Sequence, residues 1–390
     1  MKIAVDLRLL NYKHLTGVGV YCLHLLEQIS ELKKSNHIKV TAIGLKPEIY
    51  KQLVQKYDFL DDLFDENLSL KEYLNIDWNL SPKWINLLLV FWLRVFSNYH
   101  RNNIKVFDYL ILPQPRLILI NPQTKIISVF HDMYSILYRQ NLSIAQKTLE
   151  NKFNYTLVAK MSTQIWCDSI ATCRDVKQNL NIDSNKIKLV YPGIPQLQNL
   201  AKPENLDTDK LIPTKPFLLA ISGIEPRKNW YNLLLAHRYL QHNYDDYNLE
   251  LVFAGRLVNQ KYYNSLVKLI SNLQIKKVVW YFDVDENLKQ KLLEKCEIFV
   301  YPSLYEGFGF PILEAFKYNK PVITSRVSSM PEIAKESAFY INPLNYMDIA
   351  RGIYLVYKDG WLKKQITLKT DGRVNEFGWS EVLKNLQSLM

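Results

Sequence analysis

The sequence predicts an α/β protein made of two doubly wound domains, each built on a parallel sheet. Apolar runs typical of buried strands alternate with segments of helical periodicity along the 390 residues. The alternation is interrupted by one polar, proline-bearing segment at 194–216, which has the composition of an interdomain linker. With 48% apolar residues, a chain of this length can bury a core in each of two domains.

The predicted strands are short and rich in Ile, Val and Leu. Between them lie segments such as 18–33, in which apolar residues recur every three or four positions as on a helix. Ligands of doubly wound sheets bind beyond the carboxyl ends of the strands, so we expect the chemistry in the loops that follow them. The predicted strands are 2–7, 38–45, 125–132, 164–169, 187–193, 217–223, 249–255, 277–283, 296–303, 321–325 and 338–343.

The formal charge of +11 predicts an anionic partner, either a small substrate or a membrane surface. The chain has no arginine-rich tract and no nucleic-acid motif, so nucleic acid is not expected as a partner. The start, MKIAVDLRLL, carries an aspartate within its apolar run and reads as a buried strand instead of a secretory signal. Four scattered cysteines are typical of reduced thiols in a cytosolic protein.

The segment PKWINLLLVFWLRVF at 82–96 leaves two interpretations open. Its uncharged run is far shorter than the roughly 20 residues that a spanning helix needs. Its aromatic residues and its flanking Lys83 and Arg94 suit an interfacial helix that docks on an anionic membrane. The alternative is an ordinary helix covered by its own domain.

The stretch YEGFGFPILEAF carries two glutamates, Glu306 and Glu314, in apolar and glycine-punctuated surroundings. We expect a helix that begins at Pro311, with Glu314 in its first turn and Glu306 in the loop before it. A carboxylate in this setting can accept both hydroxyls of a ribose. The alternative is that Glu314 complements the helix dipole and Glu306 is a solvated loop charge.

Three further predicted strands are followed by candidate binding residues. Arg227 and Lys228, in IEPRKNW, suit a diphosphate, although a solvated basic turn has the same composition. Gly17 and Gly19 open a helix in a geometry that tolerates phosphate. His131, at the end of its strand, can hydrogen-bond a sugar hydroxyl or transfer a proton, or it is simply structural.

Together these stretches resemble the family-4 retaining glycosyltransferases, which have the GT-B fold. The most specific part runs from 278 to 353 and contains YPSLYEGFGFPILEAF and SSMPEIA, and GIEPRKN resembles the version common among bacterial mannosyl- and related hexosyltransferases. TGVGVY, VFHDMY, DSIATCRDV and LVYPGI fit the first domain, and FGWSEVLKNL resembles the terminal helix. The resemblance implies an acceptor-side domain at 1–195, a nucleotide-sugar domain at 196–370, and a C-terminal helix at 371–390 that returns to the first domain.

The resemblance also implies a role for each candidate residue. Glu314 would hold the nucleotide ribose, and Lys228, with Arg227 beside it, would neutralise the diphosphate. Glu306 would lie near the donor sugar in an electrostatic or positioning role. The backbone amides of Phe308, Gly309 and Phe310 would contact the sugar hydroxyls. Gly17 and Gly19 would approach the phosphates, and His131 would lie near the reacting carbon.

The implied activity is transfer of a hexose, with mannose favoured by GIEPRKN, from a GDP- or UDP-linked donor with retention of configuration. The acceptor would be a glycan or a lipid-linked glycan of surface polysaccharide synthesis, and no metal or cofactor is expected. Domain closure would exclude water from the donor. The enzyme would be cytoplasmic, or peripheral on the inner face of the plasma membrane. The alternatives are a nucleotide-sugar epimerase of the same fold and a non-catalytic nucleotide- or sugar-binding protein.

Three positions depart from the family pattern. Val20 stands where relatives often carry a basic residue, while Asn319 and Phe282 replace usual glycines. The change at Val20 could alter phosphate or acceptor contacts, whereas the other two look like changes in turn conformation. Asparagine tolerates the left-handed backbone conformation, and we expect the site to remain intact.

Overall fold

The computed structural model describes residues 1–11, 16–74, 104–142, 154–194 and 212–390, which fall into two compact units. Unit 1 comprises residues 1–195 and 378–390, and unit 2 comprises residues 196–377. The candidate interfacial helix at 82–96 and most of the linker at 194–216 lie outside the described residues. Among the described helices, none combines the length and apolar character needed to cross a membrane.

Unit 1 is built on a seven-stranded parallel sheet with the order β3-β2-β1-β4-β5-β6-β7. Residues 3–5 of β1 and most of β5 are fully buried, because helices cover such a sheet on both faces. The order reverses between β1 and β4, which is where doubly wound sheets bind their ligands. The strands are β1 (Lys2–Asp6), β2 (Lys39–Ile43), β3 (Glu66–Leu68), β4 (Tyr109–Leu112), β5 (Lys125–Phe130), β6 (Gln164–Cys167) and β7 (Ile187–Leu189).

The first helix of unit 1 begins after a capping residue and has one buried apolar face. The Thr16 side chain caps it by accepting a hydrogen bond from the Gly19 amide (3.4 Å). Tyr21, Leu25 and Leu32 lie on one buried face. The described helices of unit 1 before its C-terminal segment are α1 (Gly17–Ser35), α2 (Pro47–Lys56), α3 (Leu70–Leu74), α4 (Tyr134–Leu137), α5 (Tyr155–Met161) and α6 (Ile170–Leu180).

Unit 2 repeats the architecture with a six-stranded parallel sheet of order β10-β9-β8-β11-β12-β13. Its order reverses between β8 and β11, which pair through Ile298 and Leu218. The strands are β8 (Phe217–Ile221), β9 (Glu250–Gly255), β10 (Val278–Phe282), β11 (Ile298–Tyr301), β12 (Val322–Ser325) and β13 (Ala338–Ile341).

The helices of unit 2 include those at 230–243, 260–272, 346–358 and 360–367, which contribute to a core in which Trp230 stacks on Phe253 with ring centroids 4.5 Å apart. A short 3-10 helix, Pro226–Lys228, precedes the first of them. The helices of unit 2 are α7 (Trp230–Asn243), α8 (Gln260–Asn272), α9 (Glu286–Lys295), α10 (Phe310–Lys317), α11 (Met330–Ala334), α12 (Tyr346–Lys358), α13 (Gly360–Thr367) and α14 (Thr370–Asn375).

The C-terminal segment of unit 1 is anchored by Trp379, just before helix α15 (Ser380–Gln387). Trp379 stacks on His24 with ring centroids 4.8 Å apart, and its indole N–H donates to the Ile194 carbonyl (3.4 Å). A Cβ on Gly193 would lie 2.4 Å from the Trp379 ring, so only glycine permits this contact. The return begins at Gly378, later than residue 371, and residues 371–377 belong to unit 2.

The predicted fold class is confirmed, because both sheets are parallel and both are covered by helices. Every predicted strand forms within narrower bounds, and the largest differences are at 187–193, where β7 has three residues, and at 296–303, where β11 has four. Two strands of unit 1, β3 and β4, were not predicted: β3 has three residues, and β4 has four next to a proline. Asn319 adopts the left-handed conformation with φ of 51°, which asparagine tolerates.

Candidate functional site

Two loops meet at the point where the strand order of unit 2 reverses. The 3-10 helix with Arg227 and Lys228 follows β8, and the loop with Glu306 follows β11. Because β8 and β11 are hydrogen-bonded neighbours in a parallel sheet, both loops leave the same edge. Residues almost 80 positions apart in the sequence therefore come into direct contact.

Glu306 is held by two cations. Its Oε1 accepts from Lys228 Nζ at 2.6 Å and its Oε2 from Arg227 Nη1 at 2.8 Å. The side chain is only 7% exposed, and the Ser329 hydroxyl donates to the Glu306 carbonyl at 3.0 Å, so side chain and backbone are both fixed. Burial would raise the pKa of Glu306, but Lys228 and Arg227 lower it to about 2. Glu306 is therefore a carboxylate at any physiological pH.

Lys228 is buried as deeply as its partner. Its Nζ also donates to the Tyr301 hydroxyl at 3.1 Å. Burial lowers the pKa of Lys228 and Arg227 lowers it further, while Glu306 opposes both effects. The next residue, Asn229, fixes the turn because its side chain donates to the carbonyls of Pro302 (3.0 Å) and Pro343 (2.7 Å). The lysine thus stands in a rigid setting.

Arg227 connects Glu306 to a second carboxylate. Its Nε donates to Glu225 Oε1 at 2.7 Å while its Nη1 contacts Glu306. We call Glu225, Arg227, Lys228 and Glu306 the Glu306 cluster. Its two positive and two negative side chains balance, so the solvated basic turn that the sequence left open is not what forms. A diphosphate would meet two cations whose positions are set before it binds.

Glu314 follows this cluster along the chain, on α10, but not in the helical turn where the sequence placed it. The helix begins at Phe310, so Glu314 falls in its second turn instead of the first. It is 17% exposed and accepts from Lys289 Nζ of α9 at 2.9 Å. Burial would lower the pKa of Lys289, but Glu314 and Glu286 raise it. Glu314 is therefore paired with a lysine and not simply with the helix dipole.

The loop between the two glutamates depends on one glycine. Gly309 precedes α10 with φ of 111°, a conformation that side-chain-bearing residues rarely adopt. The neighbouring Phe308 is buried, its carbonyl accepts from Ser329 Oγ at 2.7 Å, and its ring contacts that of Phe310 with centroids 4.8 Å apart. This packing fixes the backbone whose amides the sequence assigns to a ligand.

Unit 1 places His131 at the end of β5, where both ring nitrogens are engaged. Nδ1 contacts Asp168 Oδ2 at 2.6 Å, and Nε2 contacts the Pro113 carbonyl at 2.7 Å. The ring is 14% exposed and packs edge-on against Tyr21, with centroids 4.7 Å apart. Burial would lower the pKa of His131, but Asp168 raises it. The ring is thus held in one orientation by contacts at both nitrogens and with the Tyr21 ring.

Gly17 and Gly19 form the first turn of α1, as the sequence predicts. Gly17 is exposed, and a Cβ added to it would meet nothing within 4 Å. The Gly19 amide is engaged by Thr16. The helix that starts here carries Tyr21, whose ring contacts His131, so the candidate residues of unit 1 lie close together.

The structure thus brings Arg227, Lys228 and Glu306 into one cluster and leaves Glu314 in a separate ion pair. Within the described ranges, no set of three or more His, Cys, Asp or Glu side chains is placed to hold a metal. Sequence reasoning missed several contributors. Glu225 could have been found, because it is a carboxylate two residues before Arg227. The other contributors could not, because their roles depend on contacts with residues distant in sequence; they are Tyr301, Asn229, Lys289 and Asp168.

Comparison with known protein families finds a match within unit 2. Residues 202–373 match the family described as glycosyl transferases group 1. The chain is 29% identical over 197 residues to the O-antigen chain mannosyltransferase RfbU of Salmonella typhimurium, covering 49% of this chain and 51% of that protein. It is 30% identical over 173 residues to the O-antigen chain mannosyltransferase B of Escherichia coli, covering 42% of each. The chain thus aligns with about half the length of these relatives.

Solved structures extend the likeness in fold to both units. A glycosyltransferase from Rickettsia africae superposes with a TM-score of 0.66 at 18% identity, covering 100% of this chain and 97% of that one. Anabaena Alr3699/HepE, solved with UDP and glucose, superposes with a TM-score of 0.69 at 16% identity, covering 100% and 98%. Residues 202–373 therefore match the group 1 glycosyltransferase family, the two units have the GT-B fold, and the chain is similar to bacterial mannosyltransferases.

Proposed function

We propose that the protein transfers a hexose from a nucleoside diphosphate sugar to a glycan or lipid-linked acceptor in surface polysaccharide synthesis. The observation that carries the proposal is the double ion pair of Glu306, at 2.6 Å from Lys228 and 2.8 Å from Arg227. Two cations fixed where the strand order of a doubly wound sheet reverses suit the diphosphate of such a donor.

The mechanism follows from the rigidity of these cations. Negative charge develops on the diphosphate as the bond to the sugar breaks, and Lys228 and Arg227 stabilise it without first having to reorganise. Glu306 keeps both side chains in place and stays ionised, because its pKa is about 2. Both of its oxygens are engaged by cations, which favours a positioning role over a covalent nucleophile. We propose transfer with retention and without a metal, as the family resemblance implies.

The other assignments are part of the same proposal. Glu314 accepts the ribose hydroxyls, and the amides of Phe308, Gly309 and Phe310 contact the donor sugar. In unit 1, Gly17 and Gly19 approach the phosphates and His131 approaches the reacting carbon. Support for the first group is that its residues lie in the loop and helix that follow Glu306, and support for the second is the contact of His131 with the helix that begins at Gly17.

The donor is proposed to be a mannose nucleotide. The motif GIEPRKN and the mannosyltransferase names of the Salmonella and Escherichia coli relatives favour it. The bound UDP and glucose of the Anabaena neighbour make a UDP-sugar the main competitor. GDP and UDP are therefore the two nucleotides that an experiment has to compare first.

The testing experiment is a thermal-shift series with UDP, GDP, ADP and dTDP at about 1 mM each. A nucleotide at roughly 100 times its dissociation constant stabilises the folded state by about 2.7 kcal/mol. The nucleotide that shifts the melting temperature then names the donor for a transfer assay. Incubation of that donor without acceptor separates a transferase from an epimerase, which would interconvert the sugar. Binding without any transfer or interconversion would favour the non-catalytic reading.

Membrane association is proposed from the sequence alone, because 82–96 lies outside the described residues. If this segment is an interfacial helix, replacing Trp84, Leu88 and Trp92 by polar residues releases the protein from anionic vesicles. Neutral vesicles serve as the control for the contribution of charge. Retained binding in the variant would refute the role of 82–96, and absence of binding in the native protein would also refute a peripheral location at the inner face of the membrane.

A further inference from the structure

The hydrogen bonds of His131 determine where its protons lie. The Pro113 carbonyl can only accept, so Nε2, 2.7 Å away, carries a hydrogen. If the ring were neutral, Nδ1 would then present a lone pair to the Asp168 carboxylate at 2.6 Å. Two acceptors at this distance repel each other, so a proton lies between Nδ1 and Oδ2. A carboxyl group is ordinarily a much stronger acid than an imidazolium, so Nδ1 carries this proton. With both nitrogens protonated, the ring is an imidazolium.

The surroundings of Asp168 keep this charge in place. Asp168 is 2% exposed, so water does not screen it, and its Oδ1 has no hydrogen-bond partner among the described residues. The other titratable groups that face His131 are Tyr21 from α1 and Asp132, the next residue in the chain. Thr172 of α6 donates to the His131 carbonyl at 3.4 Å and fixes the backbone. The negative charge of Asp168 is thus directed at the histidine.

We propose that Asp168 is a positioning residue that holds His131 as a fixed cation, and that His131 serves the transfer reaction through this charge and not as a base. The first half depends on unit 1 alone, and the second half rests on the proposed function. A ring whose two nitrogens both donate has no lone pair for a proton. It can still attract an anionic donor and stabilise charge that develops beside it.

The substitution Asp168→Asn separates charge from geometry. An asparagine amide donates to a bare Nδ1, while Nε2 continues to donate to Pro113. A neutral His131 is then fully hydrogen-bonded in the same position. Asp132→Asn is the matched control, because it also removes one carboxylate near His131 but not the one that contacts the ring. The Asp132 Oδ1, which accepts from the Tyr134 amide at 3.1 Å, remains an acceptor in that variant.

The test is nitrogen NMR of the full-length protein labelled at its histidine rings, with the His131 signals identified by their loss in His131→Gln. At about pH 7.5, a full unit above the usual histidine pKa, we expect two protonated nitrogens in the native protein and in Asp132→Asn. We expect one protonated nitrogen in Asp168→Asn. A bare nitrogen on His131 of the native protein at this pH would overturn the proposal, whether or not the variants fold.

A second measurement addresses the reaction. With the donor identified, Asp168→Asn is expected to lower kcat at least about tenfold, with a smaller change in the KM for donor. Asp168→Glu, which restores a carboxylate, is expected to recover part of the loss. If His131 is cationic in the native protein and neutral in Asp168→Asn, an undiminished kcat in that variant would refute the role of the His131 charge in transfer. Failure of the native protein to transfer from any donor would instead refute the proposed function, while the NMR result would still decide the charge of His131.

Discussion

Lys289 Nζ lies 2.9 Å from Glu314 Oε1, so the carboxylate assigned to the ribose already has a cationic partner in the same unit. Lys289 also contacts Glu286 at 2.9 Å, and it can therefore leave one carboxylate without losing all of its pairing. A nucleotide that uses Glu314 has to share it with this lysine or displace it. A ligand can therefore use Glu314 if the partly buried contact between Glu314 and Lys289 is shared or broken.

The first prediction concerns this ion pair. Glu314→Ala should abolish the thermal stabilisation by the preferred nucleoside diphosphate, because the ribose loses its acceptor. Lys289→Met should keep a shift at least as large as that of the native protein, because the ribose no longer competes for Glu314. Lys295→Met, at the exposed end of the same helix, is the control for loss of a positive charge. A lost shift in Lys289→Met would show that the lysine itself binds the nucleotide.

The second prediction concerns Lys228. Lys228→Met should lower kcat/KM about 100-fold, because it removes one of the two cations that we propose stabilise the leaving diphosphate. Since Glu306 keeps its contact with Arg227, we expect the folded state to lose only about 1–3 kcal/mol. Transfer kinetics and urea unfolding measure the two effects separately. Lys261→Met, an exposed lysine of α8, should change neither, and native turnover in Lys228→Met would exclude its role at the diphosphate.

Most strands of the two sheets could be predicted because each is a short apolar run that is buried on both faces, whereas the edge strands β7 and β10 are only partly buried. The run FLLAI of β8, for example, is buried at every position and has no alternative reading as an exposed element. β3 escaped prediction because ENL has a single buried residue, so its pairing with β2 decides its conformation and its own sequence does not. The helix start at Phe310 was placed one residue late, because proline tolerates either of the first two positions.

The candidate residues could be named from sequence, but their partners could not. Arg227 and Lys228 pointed to an anion because they follow a strand, yet the anion they contact here is Glu306 of the same chain. That contact depends on the adjacency of β8 and β11, which the order of elements along the chain does not reveal. The pairing of His131 with Asp168 depends in the same way on the adjacency of β5 and β6.

The third prediction concerns the anchoring of the C-terminal segment in unit 1. Gly193→Ala should destabilise the folded protein by about 1–3 kcal/mol, because the new Cβ would lie 2.5 Å from the Trp379 amide nitrogen, which cannot move aside as a side chain could. Thermal unfolding measures the loss. Gly372→Ala is the control, since a Cβ at that helical position meets nothing within 4 Å. Equal melting temperatures for the two variants would mean that Trp379 can shift to accommodate the new Cβ at little cost in stability.

The fourth prediction concerns pH and Glu306. Its pKa is about 2 in the folded protein, against 4.5 for an ordinary glutamate, so its ionised form stabilises the fold above about pH 4.5 and this contribution is lost as the pH falls towards 2. Glu306→Gln removes the charge at every pH and leaves Lys228 buried without its carboxylate. At pH 7 the variant should be less stable by about 3 kcal/mol. Denaturant unfolding of both proteins from about pH 7 to 3.5 should show a difference in the free energy of unfolding that is constant down to about pH 4.5 and narrows below it.

The control is Glu336→Gln, whose carboxylate is exposed. Its free energy of unfolding at pH 7 should differ little from that of the native protein, because the ion pair of Glu336 with Lys369 is screened by solvent. A gap between native and Glu306→Gln that stays the same down to pH 3.5, with both proteins still folding reversibly, would mean that the two cations do not hold Glu306 ionised.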